Sequence, residues 1–183
     1  KQFSVSMKNG ALPVNIVNKG NNTLYIKLVS TGQPLTGDST LPAGNPAALG
    51  MTVSYISQNG NPIDISKLTQ GTDFIARVTI LNKGKRGAYT QMALSQIFPS
   101  GWEILNPRMN DAEGEYKSSY ATYQDIRDDR VYTYFDIAEN QTHTYYIQLN
   151  ATYPGRYYLA PVNCQAMYDN SISAYSGGRW IEV

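Results

Sequence analysis

The sequence predicts an all-β protein, folded as an antiparallel β-sandwich. Three observations carry this. Apolar and polar residues alternate with period two over many short stretches, which puts one side of an extended chain in a core and the other in water. Turn signals rich in Gly, Pro and Asn separate those stretches at short intervals, and no stretch shows a sustained helical period. Tyrosine is abundant, 15 residues beside 15 Gly and 9 Pro. Tyr suits a strand with one dry and one wet face, because its ring buries while its hydroxyl stays hydrated.

The elements follow in chain order. FSVSM (3–7) alternates, Asn9-Gly10 turns, and PVNIV (13–17) resumes an extended run. Lys19-Gly20-Asn21-Asn22 turns again into TLYIKLVS (23–30), read as a half-buried strand. Residues 32–50 lose all periodicity and repeat Gly and Pro, which makes them the best domain boundary in the chain. The organisation expected is a β segment over 1–35, a linker over 36–50 and one sandwich over 51–183. MTVSYIS (51–57) restarts the alternation, and QNGNPIDISKL (58–68) gives a turn and a short extended piece. DFIARVTILN (73–82) is the clearest strand, with Phe74, Ala76, Val78 and Ile80 on one face and Asp73, Ile75, Arg77 and Thr79 on the other. KGKRG (83–87) reads as a hairpin tip between it and AYTQMALSQIF (88–98). GWEIL (101–105) is extended, 106–119 is polar and exposed, and YATYQDIRDDR (120–130) reads as a helical turn or an irregular loop. VYTYFDI (131–137) and THTYYIQLNATY (142–153) are strands split by AENQ. GRYYLAPVNCQAMY (155–168) is a strand that Pro161 confines to an edge or a bulge. A polar, Gly-closed loop follows, and GRWIEV (178–183) is the last strand.

Composition narrows the function classes. A chain of 183 residues buries roughly 70% of its extended surface on folding, enough for one good core. A formal net charge of +1, with Lys83, Lys85 and Arg86 as the one tight basic cluster, argues against nucleic acid as a partner. No apolar run approaches the ~20 residues that span a bilayer, so no direct membrane insertion is expected. The start, KQFSVSMKNG, lacks the apolar centre of a signal peptide and reads as an artificial boundary or an internal cut in a longer polypeptide.

Candidate chemistry is thin. Cys164 is the single cysteine and His143 the single histidine. Together they allow a nucleophile and base in principle, but no third group or oxyanion loop is evident, and a lone Cys in a strand is commonly a buried, inert residue. One Cys and one His do not make a zinc set. The acidic run Asp111, Glu113 and Glu115 does not have the spacing of a calcium loop and reads as a solvated turn. Asp125, Arg127, Asp128, Asp129 and Arg130 interleave charge just before a strand, which reads as a salt-bridged turn. Tyr132, Tyr134, Tyr145, Tyr146, Tyr157 and Tyr158 raise a sugar-stacking platform as an alternative to cross-strand packing. No catalytic residue, metal site or cofactor is therefore expected, and an adhesin-like or carbohydrate-binding module is the alternative function.

Three blocks carry a family resemblance. QIFPSGWEILNPRM (96–109) resembles a segment of bacterial alpha-2-macroglobulin-like proteins in which a strand ends at a Pro-x-Gly and continues to Asn-Pro-Arg. YQDIRDDRVYTYFDI (123–137) resembles that family's Asp-Asp-Arg strand, and NATYPGRYYLAPVNCQAMYDNSISAYSGGRWIEV (150–183) its closing block with a Met-Tyr pair. The three agree in order and spacing and cover residues 50–183. The resemblance implies the last macroglobulin-like domain, after the thioester domain. It also implies that the segment holding VNKGNNTLYIKLVSTGQP is the end of a CUB-type domain. The family's proteins are periplasmic or envelope-attached protease traps, in which a cleaved bait releases a thioester to attack the protease. The implied partners are the thioester domain and other macroglobulin domains of the same parent chain, with proteases as the parent's targets. Their thioester joins a Cys and a Gln separated by two residues. Cys164 is followed directly by Gln165, so this domain does not hold it and is implied to be non-catalytic. By the same resemblance, Met167 and Tyr168 are the pair that lies over the thioester and keeps it dry, a flexible thioether beside a flat amphipathic ring.

Overall fold

Strand pairing follows the alternation. The computed structural model describes residues 15–27, 29, 47–105 and 116–183. Among the described residues it contains eleven strands and no helix. They are β1 Leu49–Ile56, β2 Asp73–Asn82, β3 Tyr89–Ile97, β4 Trp102–Ile104, β5 Tyr123–Ile126, β6 Arg130–Ile137, β7 Thr142–Ala151, β8 Arg156–Leu159, β9 Asn163–Ala166, β10 Asp169–Tyr175 and β11 Arg179–Glu182.

The chain divides into two compact units, Lys1–Gln33 and Pro34–Val183. In the first, the expected Lys19–Asn22 turn is present: Asn18 Nδ2 donates to the Asn22 carbonyl at 2.7 Å and Gly20 N–H to Asn18 Oδ1 at 3.0 Å. The strands expected over 13–17 and 23–30 are absent at their described positions. An alternating segment becomes a strand only where a neighbour pairs with its backbone, and period two alone does not supply one. The strand expected over 3–7 lies outside the described residues.

In the second unit every strand pair is antiparallel. A four-stranded sheet runs β1-β2-β7-β4, a five-stranded sheet β10-β9-β3-β6-β5, and β11 and β8 form a two-stranded sheet. Inward rows from both large sheets meet. Val78 and Ile80 of β2 and Tyr145 of β7 pack with Met92 and Leu94 of β3, Phe135 and Ile137 of β6 and Cys164 and Ala166 of β9. A second cluster fills the other end, where Phe74 and Trp102 meet edge-on at 4.8 Å and Tyr55 meets Trp102 at 5.9 Å. Edge-on aromatic pairs of this kind add stability beyond the area they bury. Tyr145 is fully buried, and its hydroxyl is satisfied by donating to the Tyr120 carbonyl at 3.2 Å. That bond belongs to a strap. Ser118 Oγ and Ser119 Oγ accept the Tyr146 and Thr144 N–H groups of β7 at 2.9 Å each, covering an edge that the short β4 does not reach.

Several expectations change. KGKRG is not a hairpin tip, because β2 lies in one large sheet and β3 in the other. It is a corner between layers, organised by Asn82. The buried Asn82 carboxamide donates to the Gly87 carbonyl at 2.8 Å and the Ile137 carbonyl at 3.3 Å, and accepts the Gly84 N–H at 2.9 Å. Gly84 (φ 69°) and Gly87 (φ 75°) adopt the left-handed backbone that such a corner needs. Residues 155–168 are two strands, not one: Pro161 stands where the chain leaves the small sheet for the five-stranded one. Residues 123–126 and the supposed loop 169–175 are strands. Ile75, expected on the wet face, is buried beside its register partner Ile56. β1 already starts at Leu49, with Ala48 and Leu49 buried.

Two substitutions check this packing. Asn82→Ala leaves one buried and two part-buried backbone groups without their partner and is expected to cost about 2–4 kcal/mol in denaturant unfolding. Gln96 is fully buried on β3, and among the described residues neither its Nε2 nor its Oε1 finds a hydrogen-bond partner. Gln96→Met is expected to stabilise the domain by about 1–2 kcal/mol at an unchanged denaturant slope. A loss of stability would show that the carboxamide is satisfied in solution.

Candidate functional site

Met167 and Tyr168 form the tip of a tight hairpin. Ala166 at the end of β9 pairs with Asp169 at the start of β10, so the two residues between them are the whole turn. The tip is exposed, Met167 by 44% and Tyr168 by 82%. Tight hairpins whose turn matches the twist of their strands need one or two residues at positive φ, usually Gly or Asn. Neither tip residue has one; the described non-glycine residues that do are Gln91 at 54° and Asn140 at 58°. Next to the turn, β10 shifts register between Asp169 and Ser173.

Two neighbours hold the tip. The Met167 N–H donates to the Gln91 carbonyl of β3 at 3.0 Å. Gln91 lies in a bulge, between Tyr89 and Met92 in the pairing with β6, and its own N–H donates to Asp136 Oδ1 at 2.7 Å. On the other side Arg86 of the corner donates from Nη1 to Ser171 Oγ at 2.6 Å and stands 3.7 Å from Asp169 Oδ2. The Ser171 hydroxyl and N–H both donate to Asp169 Oδ1, and these bonds, with a smaller contribution from Arg86, hold the Asp169 carboxyl below the usual carboxylate range. No motif in the sequence marks Gln91, Asp136 or Asp169 as site residues. The residues offer only a faint signal, a polar Gln at a point where the outward and inward rows of β3 fall out of step.

The other candidates do not assemble into a site. Cys164 is fully buried between the two large sheets. His143 is on β7 of the four-stranded sheet and shares an inward row with Tyr145, as its phase suggests; its Nδ1 lies 3.2 Å from the Tyr145 hydroxyl, while Cys164 is on β9 of the other large sheet. Burial lowers the His143 imidazole and pushes the Cys164 thiol up to about 12. Among the described residues no group of His, Cys, Asp and Glu could hold a metal ion, and Asp111, Glu113 and Glu115 lie outside them. The interleaved charges do make a salt-bridged turn between β5 and β6, with Arg127 Nε 2.9 Å from Asp125 Oδ1 and Arg130 Nη2 2.6 Å from Asp129 Oδ2. The six tyrosines are spread over three sheets and pair locally, Tyr134 stacking on Tyr123 at 6.0 Å, Tyr146 meeting Tyr116 at 5.4 Å and Tyr158 meeting Trp180 at 5.5 Å. They do not line one surface. With a thiol at about 12, the ionised fraction at pH 8 is about one part in ten thousand, and the sulfur is also out of reach. A thiol reagent at pH 8 is therefore expected to label Cys164 only at the rate of unfolding, and at once in denaturant; rapid labelling of the folded chain would contradict the placement.

The geometry can be set beside known proteins. The family described as the bacterial alpha-2-macroglobulin MG10 domain matches residues 49–170, about two thirds of the chain. Alpha-2-macroglobulin of Pasteurella multocida is 26% identical over 171 residues, covering 92% of this chain and 8% of that protein. An alpha-2-macroglobulin homolog of Yersinia pestis is 26% identical over 147 residues, covering 69% and 7%. Native Escherichia coli alpha-2-macroglobulin, in a crystal structure from domain MG7 to the C-terminus, superimposes with a TM-score of 0.69 at 19% identity, covering 83% of this chain and 25% of that one. Salmonella alpha-2-macroglobulin reacted with methylamine superimposes at 0.65 and 20% identity, covering 80% and 10%. These structural matches show the same macroglobulin-like sandwich. The chain thus spans less than a tenth of the length of the two sequence relatives. The match over 49–170 takes in the Met167–Tyr168 tip and the strands of both large sheets, except most of β10, and the chain belongs to the bacterial alpha-2-macroglobulin MG10 domain family.

Proposed function

We propose that this chain is a non-catalytic structural and interaction domain of a bacterial alpha-2-macroglobulin-like protease-trapping inhibitor. Its Met167–Tyr168 tip packs on the thioester domain of the same parent polypeptide and shields the thioester from water. One observation carries the shielding: the pair forms the whole of a projecting two-residue turn and is exposed, rather than packed at a strand end. A thioester survives only where water is kept off it. A thioether chain adapts to an irregular apolar surface, and a tyrosine ring covers a flat one while its hydroxyl keeps a polar contact.

The rest of the molecule fits a bracing role. Cys164 is buried in the core and His143 is half-buried against the Tyr145 hydroxyl, so the two do not make an exposed pair. On this reading the first unit is the end of a CUB-type domain and the segment before β1 is a linker. The parent is periplasmic or envelope-attached, its other macroglobulin domains are further partners, and its targets are proteases.

The shielding is tested in the full-length polypeptide that carries this domain. Met167→Ala with Tyr168→Ala is expected to raise the rate at which methylamine consumes the thioester by about tenfold or more, because water and amine gain the same access. The rate is read as release of a titratable thiol. Unchanged reactivity would sink the shielding role and leave bracing alone.

A further inference from the structure

The Met167–Tyr168 turn is of a kind that does not hold its own shape. Without a positive φ in the turn, the flanking strands splay instead of continuing their shared twist. A two-residue tip on splayed strands would sample several poses. Two features oppose that, and neither belongs to the hairpin's own turn. β3 carries a bulge in which Gln91, a residue with a side chain, takes a left-handed backbone at φ 54°. That conformation turns its carbonyl onto the Met167 N–H and its own N–H onto Asp136. The layer-crossing corner delivers Arg86 to Ser171 and Asp169, on the β10 side of the tip. The tip is thus gripped from β3 on one side and from the corner on the other.

We infer that Asp136 and Arg86 are positioning residues, which hold the exposed Met167–Tyr168 pair in one pose before it meets its partner surface. This rests on the reading of the pair as a docking tip. A tip already fixed in its bound shape loses little conformational freedom when it docks, so more of the contact energy holds the interface closed. Asp136 acts through the Gln91 bulge, because its carboxylate satisfies the N–H that the bulge withdraws from the β3–β6 ladder. Arg86 acts through Ser171 and Asp169, where its Nη1 donates to the Ser171 hydroxyl and stands 3.7 Å from the Asp169 carboxylate.

Hydrogen exchange of the Met167 amide reads this pose directly in the chain itself. Asp136→Ala and Arg86→Ala are each expected to raise that exchange rate by about tenfold, while amides of the β2–β7 pairing keep their protection. Asp136→Asn, which keeps an acceptor oxygen, is expected to restore most of it; Arg86→Lys, which keeps charge without the planar head, only part. Unchanged Met167 exchange in both alanine variants would overturn the inference, whatever the thioester does. The same four variants in the full-length polypeptide separate the two ideas. If the doubly substituted tip accelerates methylamine consumption, the Arg86 and Asp136 alanine variants should accelerate it less and in proportion to their exchange. A tip substitution without effect, alongside raised exchange in the bracket variants, would reject shielding while leaving the pose control standing.

Discussion

One buried carboxamide, that of Asn82, sets the terms at the working end of the sandwich. A chain that passes from one sheet to the other must carry its backbone polar groups through a region where water cannot serve them. Asn82 meets three of those groups at once, the Gly84 N–H and the Gly87 and Ile137 carbonyls, while its own N–H bonds to the Gln141 carbonyl. The two crossings between layers at this end, after β2 and after β6, are thereby tied together. Asn140 packs so closely on Gly84 that a Cβ there would lie 2.2 Å from its Oδ1. The corner has one shape, and that shape aims Arg86 at the hairpin.

Periodicity marks strands that are half buried and paired along their length, and it marks β2 and β7 well because each has two strand neighbours and one dry face. It reads poorly where burial is set by something other than the partner strand. β10 begins with Asp169, Asn170 and Ser171, all exposed at a sheet edge, so its first half looks like a loop. β5 is also an edge strand, and its charges belong to the turn that follows it. Local turn chemistry has a related blind spot. Gly84 and Gly87 announce a reversal of direction, but nothing in KGKRG says whether the next strand pairs with the last or lands on the opposite layer. That choice is made by Asn82, whose role depends on Ile137, far along the chain.

The same limit applies to the site. A Met-Tyr pair can be read as a unit from the sequence, and its family likeness points to the pair itself. What keeps the pair in place is assembled from β3, β6 and the corner, which only the register of the five-stranded sheet brings together. Gln91 carries no sequence mark of a left-handed backbone, since Gln is not a residue that adopts one readily.

The division between core and tip also explains why chemistry is absent from the residues that first draw attention. A thiol between two sheets is stable there because it is neutral and apolar in effect, and the desolvation that suits it to the core disables it as a nucleophile. Reactivity and packing make opposite demands on Cys164, and packing has won. The tip has the reverse character. It holds no group able to make or break a bond at neutral pH, yet it is exposed, apolar on one residue and amphipathic on the other, and anchored to the two large sheets through a bulge and a corner. On the proposed reading, a tip held in one pose acts on a neighbour by covering it, and the stiffness of the sandwich is what makes that cover hold.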